Sequence, residues 1–120
     1  MSSRRDEALA LLHRGHEAHR QGDIRRASSD YRRATALLPD LADGAYLLAI
    51  AQIQIGEARP AATRLKALLH RFPPLAAIAV NLGLAHMSVG EASAAATAFR
   101  SAAALDPGEA TAWIELGKDR

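Results

Sequence analysis

The chain has no cysteine, which rules out a disulfide framework and a thiolate-held metal and is compatible with the cytoplasm, the location we expect. Aromatic residues make up only 4% of its 120 residues although 49% are hydrophobic. The interior must therefore be built from aliphatic side chains and alanine, which suits closely packed helices. No apolar run approaches the ~20 residues of a membrane span. The stretch 8–12 is broken at once by His13 and Arg14, too soon for a secretory signal. The formal charge is only +2. Catalytic constellations are missing too. There is no Gly-rich phosphate loop, no carboxylate pair, and no nucleophile with a base beside it; Ser28 and Ser29 begin a helix with nothing to activate them. We expect a chain that is not an enzyme and needs no cofactor and no metal.

What is present is a period. Gly22, Gly56 and Gly90 lie 34 residues apart, as do Ala27, Ala61 and Ala95, and Pro39, Pro73 and Pro107. Around these markers the apolar residues recur at three and four. Ala79, Leu82, Gly83 and His86 do so before a glycine, and Ala95, Phe99 and Ala102 after one. That is one face of an α-helix, twice per unit. Gly followed by Asp or Glu makes the turn: glycine takes the left-handed conformation that ends a helix, and the acid favours the positive start of the next. Proline stops the second helix. Ser3 and Asp6 read as a cap for the first helix. The pattern predicts seven helices, at about 3–20, 24–37, 41–54, 58–71, 75–88, 92–105 and 109–119. Short connections make neighbours antiparallel. The fold class is all-α.

These units resemble the tetratricopeptide repeat, whose 34-residue pattern pairs a small residue with a large one across a helical hairpin. The first copy is Leu11, Gly15, Gly22, Ala27, Tyr31, Ala34, Pro39. The second is Ala45, Leu48, Ala49, Gly56, Ala61, Leu65, Leu68, Pro73. The third is Ala79, Leu82, Gly83, Gly90, Ala95, Phe99, Ala102, Pro107, and Trp113, Leu116, Gly117 begin a fourth. The resemblance implies one array over residues 1–120, with repeats at about 8–41, 42–75 and 76–109 and a terminal helix at 110–120 that acts as a cap or continues a longer array. It implies an α-solenoid curving in a right-handed arc. The chain departs from the pattern where an aromatic precedes the turn: Ala18, Gln52 and His86 stand there. We expect His86 to pack between helices in place of that ring. We also expect Leu68, where a small residue is usual, to fill volume left at Gln52.

In such a solenoid the first helix of each hairpin lines the concave side, so the stripe beside its packing face forms a groove. The stripe is Leu12, His16 and His19, then Tyr46, Ile50 and Ile53, then Val80, Leu84 and Met87, followed by Ile114 and Lys118. Seven of the nine residues in the full hairpins are apolar. A groove of this kind fits a protein or peptide ligand with an apolar helical face. Partly burying about seven such side chains gives roughly 5–10 kcal/mol gross, and association costs of about 4–15 kcal/mol offset most of it, so micromolar affinity is expected. The alternative is that Ile50, Ile53 and Leu84 are covered by neighbouring helices. Some members of the family hold acidic C-terminal carboxylates through groove Lys and Asn. Asn81 alone stands near such a position, while Leu12, Tyr46 and Val80 occupy sites that would have to be polar, so that specificity is not expected.

His13, His16 and His19 follow at intervals of three, which does not converge three ligands on a metal. They read as a solvated helix face, and their titration would make the groove edge sensitive near pH 6–7. Arg25, Arg26, Arg32, Arg33, Arg59, Arg64, Lys66 and Arg71 fall mostly on the second helices. Without interleaved aromatics they read as a solvated outer face rather than a nucleic-acid surface. The excess of arginine over lysine is what GC-rich bacterial genomes produce. The function expected is a scaffold or adaptor. The alternative is an N-terminal module of a longer bacterial enzyme, of sulfotransferase or glycosyltransferase type, which it would orient or dimerise. Self-association through the groove or the terminal helices is a further expectation.

Overall fold

A computed structural model describes residues 3–72 and 74–108. The described residues form six α-helices: α1 (Arg4–Arg20), α2 (Ile24–Leu37), α3 (Ala42–Gln54), α4 (Ala58–Arg71), α5 (Ala76–Ser88) and α6 (Ala92–Leu105). Each packs on its neighbours in sequence, and α3 also meets α5. The result is an elongated stack, 55 × 28 × 22 Å. The seventh expected helix, at 109–119, lies outside the described residues.

The repeat begins with its turns. Gly22, Gly56 and Gly90 have φ of 84°, 87° and 78°, a region open to glycine at little cost. The next N–H closes the motif each time, from Asp23 to Ala18 O (2.9 Å), Glu57 to Gln52 O (2.7 Å) and Glu91 to His86 O (2.9 Å). These bonds satisfy carbonyls that a helix end would otherwise leave bare. At the N-terminus Ser3 Oγ accepts from the Asp6 N–H (3.0 Å) and Asp6 Oδ2 accepts from the Ser3 N–H, which is a capping box.

Within each hairpin a small residue faces a large one. A Cβ placed on Gly15 would lie 2.6 Å from the Tyr31 ring, and one on Gly83 would lie 2.6 Å from the Phe99 ring. Both rings are fully buried. In the second hairpin the same two positions hold Ala49 and Leu65, also fully buried. The partners match in volume: glycine with an aromatic, alanine with leucine. Gly83→Ala is therefore expected to destabilise by about 1–3 kcal/mol through overpacking. Adding Phe99→Leu, which copies the second hairpin, should recover part of that loss. Denaturant unfolding of the two single variants and the pair measures the coupling.

Ala18, Gln52 and His86 stand where the pattern has an aromatic, and each is buried. His86 donates from Nδ1 to Glu91 Oε1 (3.1 Å) and is 8% exposed, so it does pack between helices. The expected compensation at Gln52 is different. Arg64 Nε donates to Gln52 Oε1 (3.4 Å), so a polar residue meets the buried amide. Leu68, one turn further along α4, packs instead with Ala45, Ala49, Leu65, Ile78 and Leu82. A buried amide needs a hydrogen-bond partner, which leucine cannot supply. Burial, and secondarily the Arg32 charge, lowers the Arg64 pKa from its ordinary value.

The face that receives a preceding hairpin is apolar in the inner units. Leu48 and Ala51 on α3, and Ile78, Leu82 and Ala85 on α5, are buried there. The α1 counterparts include Ala10 and Arg14, which are exposed, and Glu17, which pairs with Arg20 at 2.9 Å. The corresponding face of α1 is therefore charged where those of α3 and α5 are apolar.

Candidate functional site: the concave face

The first helices of the hairpins, α1, α3 and α5, carry the stripe in question. Leu12, Tyr46, Ile50, Ile53 and Leu84 are half-buried. Their inner atoms belong to the core while their outer atoms reach the surface. Met87 is 42% exposed and His16 is exposed. Val80 differs. It is 8% exposed and sits in the cluster around Ala79, Ala95 and Phe99, so it contributes little to an open groove. Ile114 and Lys118 lie outside the described residues. Leu9, not part of the expected stripe, is 42% exposed on α1.

Two polar bridges cross between successive first helices. His19 lies against Gln54 at Nε2–Oε1 2.7 Å and against Tyr31 at Nδ1–Oη 3.3 Å. The amide oxygen can only accept, so Nε2 carries the proton and Nδ1 accepts from the phenol. His19 thus ties α1 to α2 and α3 and is not simply a solvated groove residue. The second bridge runs from Asn81 Nδ2, which donates to the Tyr46 hydroxyl (2.9 Å) and to Ala77 O (2.9 Å). Burial raises the Tyr46 pKa, with the Asn81 bond acting in the opposite sense. The bridges link residues 35 apart, one repeat plus one. Polar pairs at that offset were available in the sequence as a signal for them.

These bonds decide what the groove offers. The amide of Asn81 is already used, and the stripe carries no lysine or arginine among the described residues. No group of three His, Asp or Glu side chains converges on a metal position among the described residues. No described helix is long and apolar enough to cross a membrane.

The second helices α2 and α4 carry Arg25, Arg26, Arg32, Arg33, Arg59, Arg64 and Arg71, several of them paired. Arg32 meets Glu57 at 3.3 Å, and Arg71 meets Asp40. Arg33 stands 4.0 Å from Asp30, whose carboxylate is buried with Oδ2 lacking a hydrogen-bond partner among the described residues. Burial, and then the Asp30 charge, raises the Tyr31 pKa. The third hairpin has buried Ala98 where the first has Asp30. Asp30→Ala is therefore expected to stabilise the protein by about 1 kcal/mol, because it removes an unsatisfied buried acceptor and loses only an ion pair to a mostly exposed arginine. A lower melting temperature in this variant would contradict that.

A family model described as the tetratricopeptide repeat matches residues 46–110 and 80–118. The chain belongs to the tetratricopeptide repeat family. The second TPR domain of human RPAP3, solved with the HSP70 peptide SGPTIEEVD, superposes with a TM-score of 0.88 at 22% identity, over 97% of each chain. The Arabidopsis OM64 TPR domain gives 0.90 at 20% identity, over 98% of this chain and 100% of that one. An O-GlcNAc transferase from Thermobaculum terrenum gives 0.83 at 28% identity, over 97% of this chain but only 22% of the enzyme. No curated protein matches the chain in sequence. The matched repeats include the second and third hairpins. The first hairpin shares their glycine turn and the small-against-large pairing.

Proposed function

We propose that this tetratricopeptide array is a non-catalytic adaptor that holds an amphipathic helix or apolar peptide along its concave face. The observation that carries this reading is the strip of Tyr46, Ile50, Ile53, Leu84 and Met87, whose outer atoms reach the surface on two adjacent helices. A helix laid there would anchor through residues at i, i+3, i+4 and i+7, with Met87 adapting to its shape. Display of a helical peptide library against the folded protein tests the idea. Enriched peptides should share an apolar stripe at that spacing and bind at about micromolar Kd; enrichment of uniformly polar peptides would count against it.

The structural likeness to RPAP3 does not extend to its ligand. With no groove cation among the described residues and Asn81 held by Tyr46, a peptide ending in acidic residues finds no counter-charge on this face. Titration with SGPTIEEVD should give no saturable binding below about millimolar concentration. The same peptide binding at micromolar Kd would show the groove to be misread.

A second reading has its own support. The 28% identity to a stretch of the Thermobaculum terrenum O-GlcNAc transferase favours a role as the repeat module of a glycosyltransferase, positioning the catalytic part or its substrate. A genomic reading frame that continues past Arg120 into a glycosyltransferase domain would establish it.

A further inference from the structure

We infer that a pocket at the seam between the second and third hairpins is the anchor of the groove, built for a peptide segment with a large apolar side chain next to a basic one. This rests on the reading of the concave face as a peptide site. The pocket has a volume of about 330 Å³, with Leu68, Phe72, Leu75 and Ile78 among its apolar lining and Asp43 and Tyr46 beside them. That is the low end of ligand-pocket sizes, suited to one or two side chains rather than a cofactor.

The first seam has different residues at the corresponding positions. At the first, Gly44 sits against α2 and α1: a Cβ there would lie 3.4 Å from Thr35 Oγ1 and 3.6 Å from Leu12 Cδ2. The chain turns tightly, with the Leu41 N–H donating to Leu38 O (3.1 Å), and Leu41 is half-buried. At the second, Ile78 replaces Gly44, and its branched side chain stands between α5 and the helices before it. The backbone is extended at Phe72 (φ −121°, ψ 163°), as expected before a proline, and at Leu75 (φ −116°, ψ 138°), as it is at Leu41 in the first seam. Leu75 is left 60% exposed. Tyr46 is drawn across to Asn81, which fixes its ring as one wall.

Charge then selects the occupant. Among the described residues Asp43 is the only ionisable carboxylate or cation on the lining and makes no ion pair, and it is exposed. An apolar side chain fills the space over Leu68 and Ile78, and a neighbouring Arg or Lys meets Asp43 at the rim. The Tyr46 ring gives a cation a second attraction, while the Phe72 ring is already faced by Arg71, 5.6 Å from its centroid.

Three capped dipeptides test this by NMR titration of the Leu68, Leu75 and Ile78 methyl groups. N-acetyl-Phe-Arg-amide should shift these methyls and bind about three- to five-fold more tightly than N-acetyl-Phe-Glu-amide, the range of one exposed charge pair. N-acetyl-Gly-Arg-amide should leave them unmoved. Asp43→Asn should equalise the first two. Equal affinity of Phe-Arg and Phe-Glu for the unaltered protein, or no response to either, overturns the proposal. So does a concentration-dependent shift of the same methyls without peptide, which would assign the pocket to a second copy of the chain. Should displayed helices fail on the groove while Phe-Arg still binds, the groove reading falls and the pocket stands; the reverse result removes the pocket alone.

Discussion

Truncating Leu68 to alanine should lower stability by about 2–5 kcal/mol, and the melting temperature by roughly 6 °C or more. The side chain is 5% exposed and packs with Ala45, Ala49, Leu65, Ile78 and Leu82. It touches both helices of its own hairpin and the first helix of the next, so its loss weakens a hairpin and a seam together. Ala34 and Ala102 stand at the same position in the other hairpins and are buried, so alanine is compatible with the backbone and the helix persists. Leu68 also lines the pocket between the hairpins. The space left by truncation joins that pocket instead of closing into a void, which places the cost in the lower half of the range. Unfolding by urea measures it. A shift near zero would mean that α4 and α5 close over the gap and that the seam is plastic.

The second large effect concerns binding. Ile53→Asp combined with Leu84→Asp should abolish capture of any helical peptide selected on the unaltered protein, a loss of at least about 100-fold. The reasoning is local. Both side chains are half-buried on neighbouring first helices, and each substitution places a charge where the apolar stripe of a guest would lie. Desolvating an unpaired carboxylate there costs several kcal/mol. Because the outer atoms of both side chains reach the surface, a carboxylate at either position can turn to water in the free protein, and the helical circular dichroism should survive. The two packing environments differ, however. Ile53 also lies against the Ala49 and Leu65 cluster, and Leu84 against the Phe99 cluster, so some stability is lost with them. Retained peptide affinity in a folded double variant would remove the concave face as the binding surface.

The helices were legible because their signals are local. The expected and observed boundaries of α1 to α6 differ by no more than one residue, since glycine at positive φ, a capping side chain and proline each act within a few residues. The pairing of Gly15 with Tyr31 and of Gly83 with Phe99 was equally readable. The site was less so. Val80 shares its stripe with Tyr46 yet turns into the Phe99 cluster, because the third hairpin is closed over by α6 at that point. Leu68 and Gln52 looked complementary in one dimension, but α3 and α4 run antiparallel, so the late residue of one faces the early part of the other. Arg64, not Leu68, meets the amide.

By itself the 34-residue period settled the repeat, its helices, its turns and its family, because each rests on backbone chemistry that neighbours along the chain supply. Only the tertiary structure decided which stripe residues keep a surface, which are tied into bridges such as His19–Gln54 and Tyr46–Asn81, and that a pocket opens at the second seam. Those outcomes depend on how far one hairpin stands from the next, and that distance is set by side chains about 35 residues apart meeting across a seam.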